Sequence, residues 1–529
     1  MRVRLRRGHD RAVATALADA PSSRRGGTRL LRRYLLGCAV IVACTMATIS
    51  VAAIGVVTTI ASDFALGGKP LDSAYLTPAK AGAAETILVI GDDHIGPTTT
   101  YSTGAEQTVN GYHYLHADTF MLVRMDPSQN QTSILSIPRD MLVSFTYHGQ
   151  HYTDKFNATY SVGGPDLVKK VARATLPGIT INHVIDFNFA SFLGLVDAIG
   201  CVYVDVDQRY LNDSDPTYQF INIQPGYQRL CGNNALSYVR YRHTDSDFVR
   251  VARQQDFIRQ AKEQLGVWGF VSKYDQLAKA FGKAVWTDIR GTTAITQLLE
   301  LAFFSLSKPV RQVPFQVENT AFPISTSSGT ELTVTSTPAK IRASIDDLLY
   351  LHPKTLIPGL AATTTTSRTT KHHSHHHHTT TTSAAAHDLY PLSAGVTTQA
   401  VAVGVNVPFP VYLPSLQTGP AIPTDFHAYT IGDEQHHLHY GYRIDWQVNG
   451  VGGYYGIEGM NWTNPPLFAN PTATEVLDGR TYLFVDDGSH IHDIGWRQGG
   501  VLYWVSNTLQ EDLTNTQMVD IANSARALH

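Results

Sequence analysis

The side chains best suited to bind phosphate are concentrated in one short segment. Residues 238–255 read YVRYRHTDSDFVRVARQQ, with four arginines and no lysine. A planar guanidinium can bind two phosphate oxygens at once, whereas a lysine ammonium acts as a point charge. The segment therefore predicts a polyanion site, and phosphate chemistry is the chemistry it could support.

Two predicted elements carry these arginines. Apolar and polar residues alternate over 236–242, which predicts a strand whose two arginines share one face. From Asp247 the spacing becomes helical, and Asp245 or Ser246 supplies the N-cap. The polar face of that helix carries Arg250, Arg253 and Gln254.

An alternative gives the arginines a purely structural role, in ion pairs with the acids Asp205, Asp207, Asp245 and Asp247. Isolated pairs of that kind are common on protein surfaces. We favour the polyanion site because several arginines converge on it from two adjacent elements.

An α/β fold positions this segment. Thr86 to Ile90 predicts a buried strand that ends in Gly91-Asp92-Asp93, at the edge where open sheets bind ligands. The remaining elements predicted are a hairpin of strands 120–126 and 132–137, a helix that Pro165 opens, strand 184–187, helix 189–199 and strand 201–206. Helix 189–199 and segment 295–304 are apolar, which fits either the core or a groove for a lipid tail.

The N-terminal region predicts a membrane anchor. Residues 1–33 contain ten arginines, and 34–61 have no charged side chain. This predicts a single transmembrane helix with its N-terminus in the cytoplasm and the rest of the chain outside. A cleaved signal peptide is the alternative. The arginine-rich tail leaves the exported part acidic, so we expect no binding to nucleic acid.

Exported cysteines can form a disulfide. Cys201 and Cys231 lie beyond the predicted span and can pair in an oxidising compartment, while Cys38 and Cys44 lie inside it. Two buried free thiols are the alternative.

The predicted organisation has six parts. They are a cytoplasmic tail 1–33, a transmembrane helix 34–61, a juxtamembrane linker 62–83, a catalytic domain 84–360, a threonine- and histidine-rich linker 361–388 and an accessory domain 389–529. Alternating runs in 440–505, separated by glycine-containing turns, predict an antiparallel sheet with a final helix 514–525 in the accessory domain. We expect its aromatics Tyr454, Tyr455, Trp462 and Trp496 to pack in the core rather than stack on sugars, and His436, His437 and His439 to be solvated.

Five motifs of the large domain resemble the LytR-CpsA-Psr family. They are Val89-Ile-Gly-Asp-Asp93, Ala117-Asp-Thr-Phe-Met-Leu-Val123, Leu135-Ser-Ile-Pro-Arg-Asp140, Asp154-Lys-Phe-Asn-Ala-Thr-Tyr160 with Gly163-Gly-Pro165, and Tyr238-Val-Arg-Tyr-Arg242 through Arg253-Gln-Gln255. The resemblance spans about residues 84 to 265. It implies a mixed-sheet α/β/α catalytic domain in a protein of the bacterial cell membrane.

The resemblance also implies a magnesium-dependent phosphotransferase. Such enzymes move a cell-wall glycopolymer from a polyprenyl-pyrophosphate carrier onto peptidoglycan. By position, Asp93 and Asp118 match the metal-associated and catalytic aspartates, and Arg139 and Arg240 are the other catalytic candidates. The pyrophosphate-binding candidates are Arg139, Lys155, Arg240, Arg242, Arg250, Arg253 and Gln255.

Two departures and two alternatives accompany this interpretation. The chain has His116-Ala117 where the family often has Arg-Ser, and Asp92 where it usually has a small residue, so either Asp92 or Asp93 could face the metal. A lipid pyrophosphate hydrolase and a non-catalytic envelope regulator are the alternative functions. A glycosyltransferase is disfavoured because no glycine-rich nucleotide loop accompanies Asp245-x-Asp247.

Overall fold

The computed structural model describes residues 71–92, 108–109, 112–113, 116–213, 220–242, 246–306, 308–326, 329–350, 389–419, 421–449 and 453–528. The chain divides into two compact units, 1–59 and 60–529, and every described residue belongs to the second. The predicted span 34–61, Asp93 and the predicted linker 361–388 lie outside the described residues. None of the helices described is long and apolar enough to cross a membrane.

The first part of the described chain runs to residue 350. Its strands are β1 (Glu85–Asp92), β2 (Thr108–Val109), β3 (Tyr112–His113), β4 (Ala117–Asp126), β5 (Gln131–Ser136), β6 (Leu142–Tyr147), β7 (Gln150–Lys155), β8 (His183–Phe187), β9 (Val202–Val206), β10 (Tyr210–Asn212), β11 (Ile221–Ile223), β12 (Gly226–Leu230), β13 (Val285–Thr287), β14 (Val310–Val313), β15 (Asn319–Thr326) and β16 (Gly329–Thr335). Its helices are α1 (Ala158–Thr175), α2 (Phe189–Ile199), α3 (Gly232–Arg240), α4 (Asp247–Ala284), α5 (Gly291–Leu306) and α6 (Pro338–Leu349).

The second part begins at residue 389. Its strands are β17 (Leu389–Pro391), β18 (Tyr412–Leu413), β19 (Leu416–Thr418), β20 (Ile422–Gly432), β21 (Leu438–Asn449), β22 (Gly453–Met460), β23 (Ala473–Leu477), β24 (Arg480–Asp486), β25 (Ile491–Gln498), β26 (Val501–Ser506) and β27 (Arg526–Ala527). Its helices are α7 (Ala394–Gly404), α8 (Asn515–Ser524) and the short 3-10 helix Pro466–Phe468.

A mixed six-stranded sheet forms the centre of the first part. The strand order is β13-β8-β1-β4-β5-β14, with β1 parallel to β8, β5 parallel to β14 and the other pairs antiparallel. Alternate side chains of β1 and β4 point to opposite faces, as the period of a strand requires. Leu88 and Phe120 join the core that contains α1 and α6, whereas Met121 faces a smaller cluster with Ile134 and Val310. The predicted α/β fold is confirmed.

Two helices near the site contain glycine breaks. Gly164 has φ 62° inside α1, and Pro165 starts the next helical stretch, as predicted. Gly266 has φ 51° inside α4. A left-handed backbone suits glycine because it has no Cβ. At each break one helical stretch ends and another begins across a kink.

The predicted strand over 236–242 is wrong, because residues 236–240 form the end of α3. Ala235, Tyr238 and Val239 are buried together. Their spacing of three and four residues is that of a helix face, and their burial outweighs the local alternation of the sequence. The predicted helix from Asp247 is confirmed, and Ser246 is its N-cap.

Cys201 and Cys231 form a disulfide, as predicted, and it joins the residue before β9 to the residue after β12, two strands that pair antiparallel. Replacing both cysteines with serine should lower the free energy of unfolding by about 3–4 kcal/mol. Without the bond, the unfolded chain between the two positions is no longer closed into a loop and gains conformational entropy. Urea unfolding of the double variant and of the parent chain would measure the difference. A change below about 0.5 kcal/mol would contradict this role for the bond.

An antiparallel sheet forms the second part, with strand order β20-β21-β22-β26-β25-β24-β23. One face packs on α7 and α8. The other face carries Trp504 and Met460, which pack with Tyr203 of β9 and Tyr227 of β12. Both faces of this sheet are therefore covered, one of them by the first part of the chain.

The predictions for this sheet are largely confirmed. Tyr455 and Trp496 are buried in its core. Trp462 is half-buried and stacks on His439. The expectation that all three loop histidines are solvated is wrong for His439, whose side chain is 17% exposed and lies 3.1 Å from Asp433.

Candidate functional site

An aspartate and two arginines form the centre of the candidate site. Asp118 lies near the start of β4, and Arg139 follows β5, the next strand of the sheet. Arg139 Nη1 donates to Asp118 Oδ1. Arg250, on the first turn of α4, donates from Nη2 to the backbone oxygen of Asp118 at 3.1 Å, and its Nη1 lies 3.8 Å from Asp118 Oδ2. Two strands and one helix thus bring three charged side chains to one point.

The arginines also contact further carboxylates. Asp247 Oδ1 lies 2.5 Å from Arg250 Nη2 and 3.4 Å from Arg139 Nε. Asp140 Oδ2 lies 3.4 Å from the same Arg139 atom. The side chain of Arg250 is 3% exposed, so it cannot swing into solvent, and these carboxylates fix its position.

Asp118 differs from its neighbours in exposure and pKa. Its side chain is 47% exposed, against 13% for Arg139. Burial of the carboxyl would raise the pKa of Asp118, but the charges of Arg139 and Arg250 outweigh that effect and lower it. Burial raises the pKa of Asp247, in spite of the same two arginines. Asp118 is therefore an ionised, accessible carboxylate at neutral pH.

Lys155 extends the cluster along one side. Its Nζ lies 3.3 Å from Asp140 Oδ1 and 3.0 Å from Glu331 Oε2. Burial would lower the pKa of Lys155, but the two carboxylates raise it. Lys155 adds a second type of cation beside Arg139.

Arg240 and Arg242 lie at the surface rather than on a strand. Arg240 is the last residue of α3, and its guanidinium carbon is 4.1 Å from the centre of the Phe189 ring. Gln254 Nε2 donates to the backbone oxygen of Val239 at 3.1 Å, and Gln254 Oε1 lies 3.3 Å from Thr119 Oγ1. Gln254 thus connects the end of α3 to β4.

The structure gives Arg253 a supporting position. Its side chain is fully buried, and it donates to the backbone oxygens of Tyr238 and Tyr241 and to Tyr210 Oη. These bonds hold the C-terminal end of α3, next to Arg240. Gln255 is also buried and donates to Ser136 Oγ at 2.8 Å, which ties α4 to β5. Direct contact of Arg253 and Gln255 with pyrophosphate stays a prediction.

A buried pair of carboxylates lies at the neighbouring ends of β1 and β8. Tyr160 Oη is 2.8 Å from Asp92 Oδ2 and 2.9 Å from Asp186 Oδ2. The Tyr160 hydroxyl has one proton and can donate it to only one of these oxygens. The other contact therefore needs a proton on a carboxyl group. Burial and the charge of Asp92 raise the pKa of Asp186 well above its ordinary value. Asp92 is thus engaged in the interior with Asp186 and Tyr160.

Asp186 should make stability depend on pH. A carboxyl whose pKa is higher when folded stabilises the protein fully at low pH, and this contribution is lost as pH rises towards the folded pKa. The wild-type chain should lose up to about 1.4 kcal/mol per pH unit above about pH 4 from this group, and Asp186→Asn should not. Urea unfolding from pH 4 to 8 measures both slopes. Asp197→Asn, an exposed substitution on α2, is the control, and equal slopes in wild type and Asp186→Asn would contradict the assignment.

The sequence identified part of this cluster. The structure brings together four predicted site residues, Asp118, Arg139, Lys155 and Arg250. It adds three that were not predicted as site residues, Asp140, Asp247 and Glu331. The carboxylate of Asp140 sits beside an arginine in sequence, which is a usable signal, whereas no sequence signal marks Glu331. The proposed structural partner Asp205 lies elsewhere, bound to Arg443.

One family model matches this chain. The model of the LytR_cpsA_psr family matches residues 62–337, more than half of the chain. The chain is 29% identical over 175 residues to the polyisoprenyl-teichoic acid–peptidoglycan teichoic acid transferase TagU of Bacillus cereus. This match covers 33% of this chain and 55% of the relative. It is 30% identical over 169 residues to TagT of Bacillus subtilis, a transferase of the same description, covering 32% and 51%.

Similarity to solved structures is lower. The crystal structure of B. subtilis TagV is 22% identical, with a TM-score of 0.41, and the match covers 52% of this chain and all of that one. The chain spans about half the length of the curated relatives it matches. From the family match and the motifs that form the site, the chain belongs to the LytR-CpsA-Psr family.

Proposed function

We propose that this protein transfers a glycopolymer from a polyprenyl-pyrophosphate carrier onto peptidoglycan. The observation that carries the proposal is the convergence of Arg139 and Arg250 on the half-exposed carboxylate of Asp118. Relatives described as polyisoprenyl-teichoic acid–peptidoglycan teichoic acid transferases support the substrate class. The proposed location is the outer side of a bacterial cell membrane, with 34–61 as the single span.

The proposed reaction is a phosphoryl transfer. A sugar hydroxyl of peptidoglycan attacks the phosphorus next to the glycan, a new P–O bond forms, and the bond to the bridging oxygen of the pyrophosphate breaks. Polyprenyl phosphate leaves with that oxygen. Charge accumulates on the phosphate oxygens in the transition state, so fixed cations accelerate the reaction. Arg139 and Arg250 are such cations, because carboxylates hold them in place before the substrate binds.

The two central carboxylates suit different tasks. The Asp118 side chain is 47% exposed, so it can contact a substrate, and we assign it to hold the metal or to accept the proton of the attacking hydroxyl. The Asp247 side chain is 15% exposed and lies 2.5 Å from Arg250 and 3.4 Å from Arg139. We therefore assign Asp247 the role of holding the two arginines in place.

Magnesium fits the donors available at this site. Mg²⁺ prefers oxygen ligands and usually keeps several waters. The exposed carboxylate of Asp118 offers such an oxygen, since Oδ2 lies 3.8 Å from Arg250, beyond hydrogen-bond distance. Asp93 is the second proposed ligand, because the carboxylate of Asp92 is engaged with Tyr160. When bound, Mg²⁺ would neutralise charge on the pyrophosphate.

The apolar helix α2 is the proposed contact for the lipid. Most of its apolar side chains, including Phe192 and Leu195, are half-buried, whereas Val196 is buried. The Arg240 guanidinium packs on Phe189 at the start of this helix. A cation next to exposed apolar surface matches a ligand that joins a pyrophosphate to a polyprenyl chain.

Acceptor dependence tests the proposal against hydrolysis. The full chain in detergent, with Mg²⁺ and a synthetic polyprenyl-pyrophosphate glycan, should release polyprenyl phosphate much faster when a peptidoglycan oligomer is added. Mass spectrometry should detect the joined glycan only in that reaction. Release at the same rate without the acceptor would favour a hydrolase. No release in either reaction, with wild-type phenotypes for Asp118→Ala and Arg240→Ala cells, would favour a regulator.

A further inference from the structure

A group of possible metal ligands lies at one end of the second sheet, far along the chain from the arginine cluster. Asp487 and His490 belong to the turn between β24 and β25, and Glu511 belongs to the loop that precedes α8. One ligand atom from each of the three lies within 4.8 Å of the others. The three residues combine two carboxylates and an imidazole, which is a donor set for transition metals rather than for Mg²⁺.

Hydrogen bonds satisfy only one of the two oxygens of the Asp487 carboxylate. Its Oδ1 accepts three bonds, from Ser489 N and Oγ at 2.8 Å and from His490 N at 2.7 Å. Its Oδ2 is buried and accepts no hydrogen bond, and His490 Nδ1 lies 3.8 Å away. A buried carboxylate oxygen without a donor is costly, so a cation at this position would remove a specific penalty.

Glu511 approaches the same point from the other loop. Its backbone has a φ of 59°, a left-handed conformation that is uncommon for a residue with a side chain. Its Oε2 lies 3.1 Å from His490 Nδ1, and its Oε1 lies 2.7 Å from the Nδ1 of the buried His492. His492 is thus placed to orient Glu511, as groups behind the ligands of metal sites commonly do.

Hydrogen bonds from two asparagines connect the two loops. Asn507 donates to the backbone oxygens of Ile491 and Leu513, at 3.0 Å each. Asn515 accepts from Ile491 N at 2.9 Å and donates to Ser489 O at 2.8 Å. These bonds connect the loop of Glu511 with the turn of Asp487 and His490, so the three side chains are positioned before any ion binds.

We propose that Asp487, His490 and Glu511 bind one divalent transition-metal ion, with zinc as the best match. Three protein ligands with one position left for water is a common zinc arrangement. Asp487 and His490 line a cavity of about 1480 Å³ between the two parts of the chain, together with Lys262, Arg311 and Trp462. Two carboxylates neutralise the ion, and the cavity gives it an entry path.

The test uses the full chain with the six tract histidines replaced by serine, because those residues could bind metal themselves. The substitutions are at His372, His373, His375, His376, His377 and His378. After chelation and dialysis, this parent chain is titrated with Co²⁺, whose visible absorption reports coordination by protein ligands, and then with Zn²⁺ in competition. We expect one equivalent to bind and Zn²⁺ to displace Co²⁺.

Variants of the ligands distinguish a site from adventitious binding. His490→Gln and Glu511→Gln should each weaken Co²⁺ binding at least about 100-fold, and His492→Gln should weaken it about 10- to 100-fold. His437→Gln is the matched control, since His437 also pairs with a carboxylate, Asp433, and should leave binding unchanged. Circular dichroism establishes that each variant is folded. Absence of one-equivalent binding in the parent, or equal affinity in His490→Gln and His437→Gln, would overturn the proposal.

Discussion

Arg139→Ala should lower kcat for glycopolymer transfer by about 10³-fold, within the range found when one cation is removed from a phosphoryl-transfer site. Arg139 bonds to Asp118 and lies beside Asp140 and Asp247, so its guanidinium is already held where the phosphate charge would develop. The measurement is single-turnover formation of the joined glycan by mass spectrometry with saturating donor.

Two further variants separate catalysis from charge and folding. Arg139→Lys keeps the charge but loses the planar fork, so it should recover only a small part of the rate. Arg209→Ala removes an exposed arginine that contacts Asn222, and it should transfer at the wild-type rate. A loss of less than about tenfold in a folded Arg139→Ala variant would remove Arg139 from the proposed catalytic group.

Arg443→Ala should lower the free energy of unfolding by about 3–5 kcal/mol, because it leaves buried carboxylates without a partner. Arg443, on β21, is 1% exposed and forms ion pairs with Asp205, Asp445 and Glu458. Asp205 lies on β9 of the first part and also accepts a bond from Trp504 Nε1 at 3.0 Å. The arginine therefore stabilises the contact between the two parts of the chain.

Urea unfolding followed by tryptophan fluorescence measures this loss. Arg497→Ala is the matched control, since Arg497 lies on β25 of the same sheet and is exposed, and its removal should cost less than about 1 kcal/mol. Similar midpoints for Arg443→Ala and the wild-type chain would show that the buried ionic group does not support the interface.

Local sequence patterns predicted several elements. The strand that ends at Asp92 was identified as a short apolar run, and the helix Phe189–Ile199 as a longer apolar segment. The segment 236–242 was mistaken for a strand because its alternation is short, and the packing of Tyr238 and Val239 decides the conformation. Strand β20 was missed, and most of its residues are half-buried or exposed, with only Ile431 buried.

The sequence predicted only those site residues whose side-chain type is distinctive. The arginines stood out by their number and by the absence of lysine, but the sequence does not reveal which of them is buried. Arg253 donates to the backbone of α3 and stabilises that helix, whereas Arg250 donates to the backbone oxygen of Asp118. Glu331 and the Asp487, His490 and Glu511 group come together from distant segments, and one sequence holds no record of such proximity.

The most direct test of the central claim identifies both products of one reaction. The full chain, Mg²⁺, the polyprenyl-pyrophosphate glycan and a peptidoglycan oligomer are incubated, and the released lipid and the joined glycan are weighed by mass spectrometry. The account predicts polyprenyl monophosphate and a joined glycan that retains one phosphate, both lost in Arg139→Ala. Release of polyprenyl pyrophosphate, with a joined glycan that lacks phosphate, would contradict phosphoryl transfer at this site.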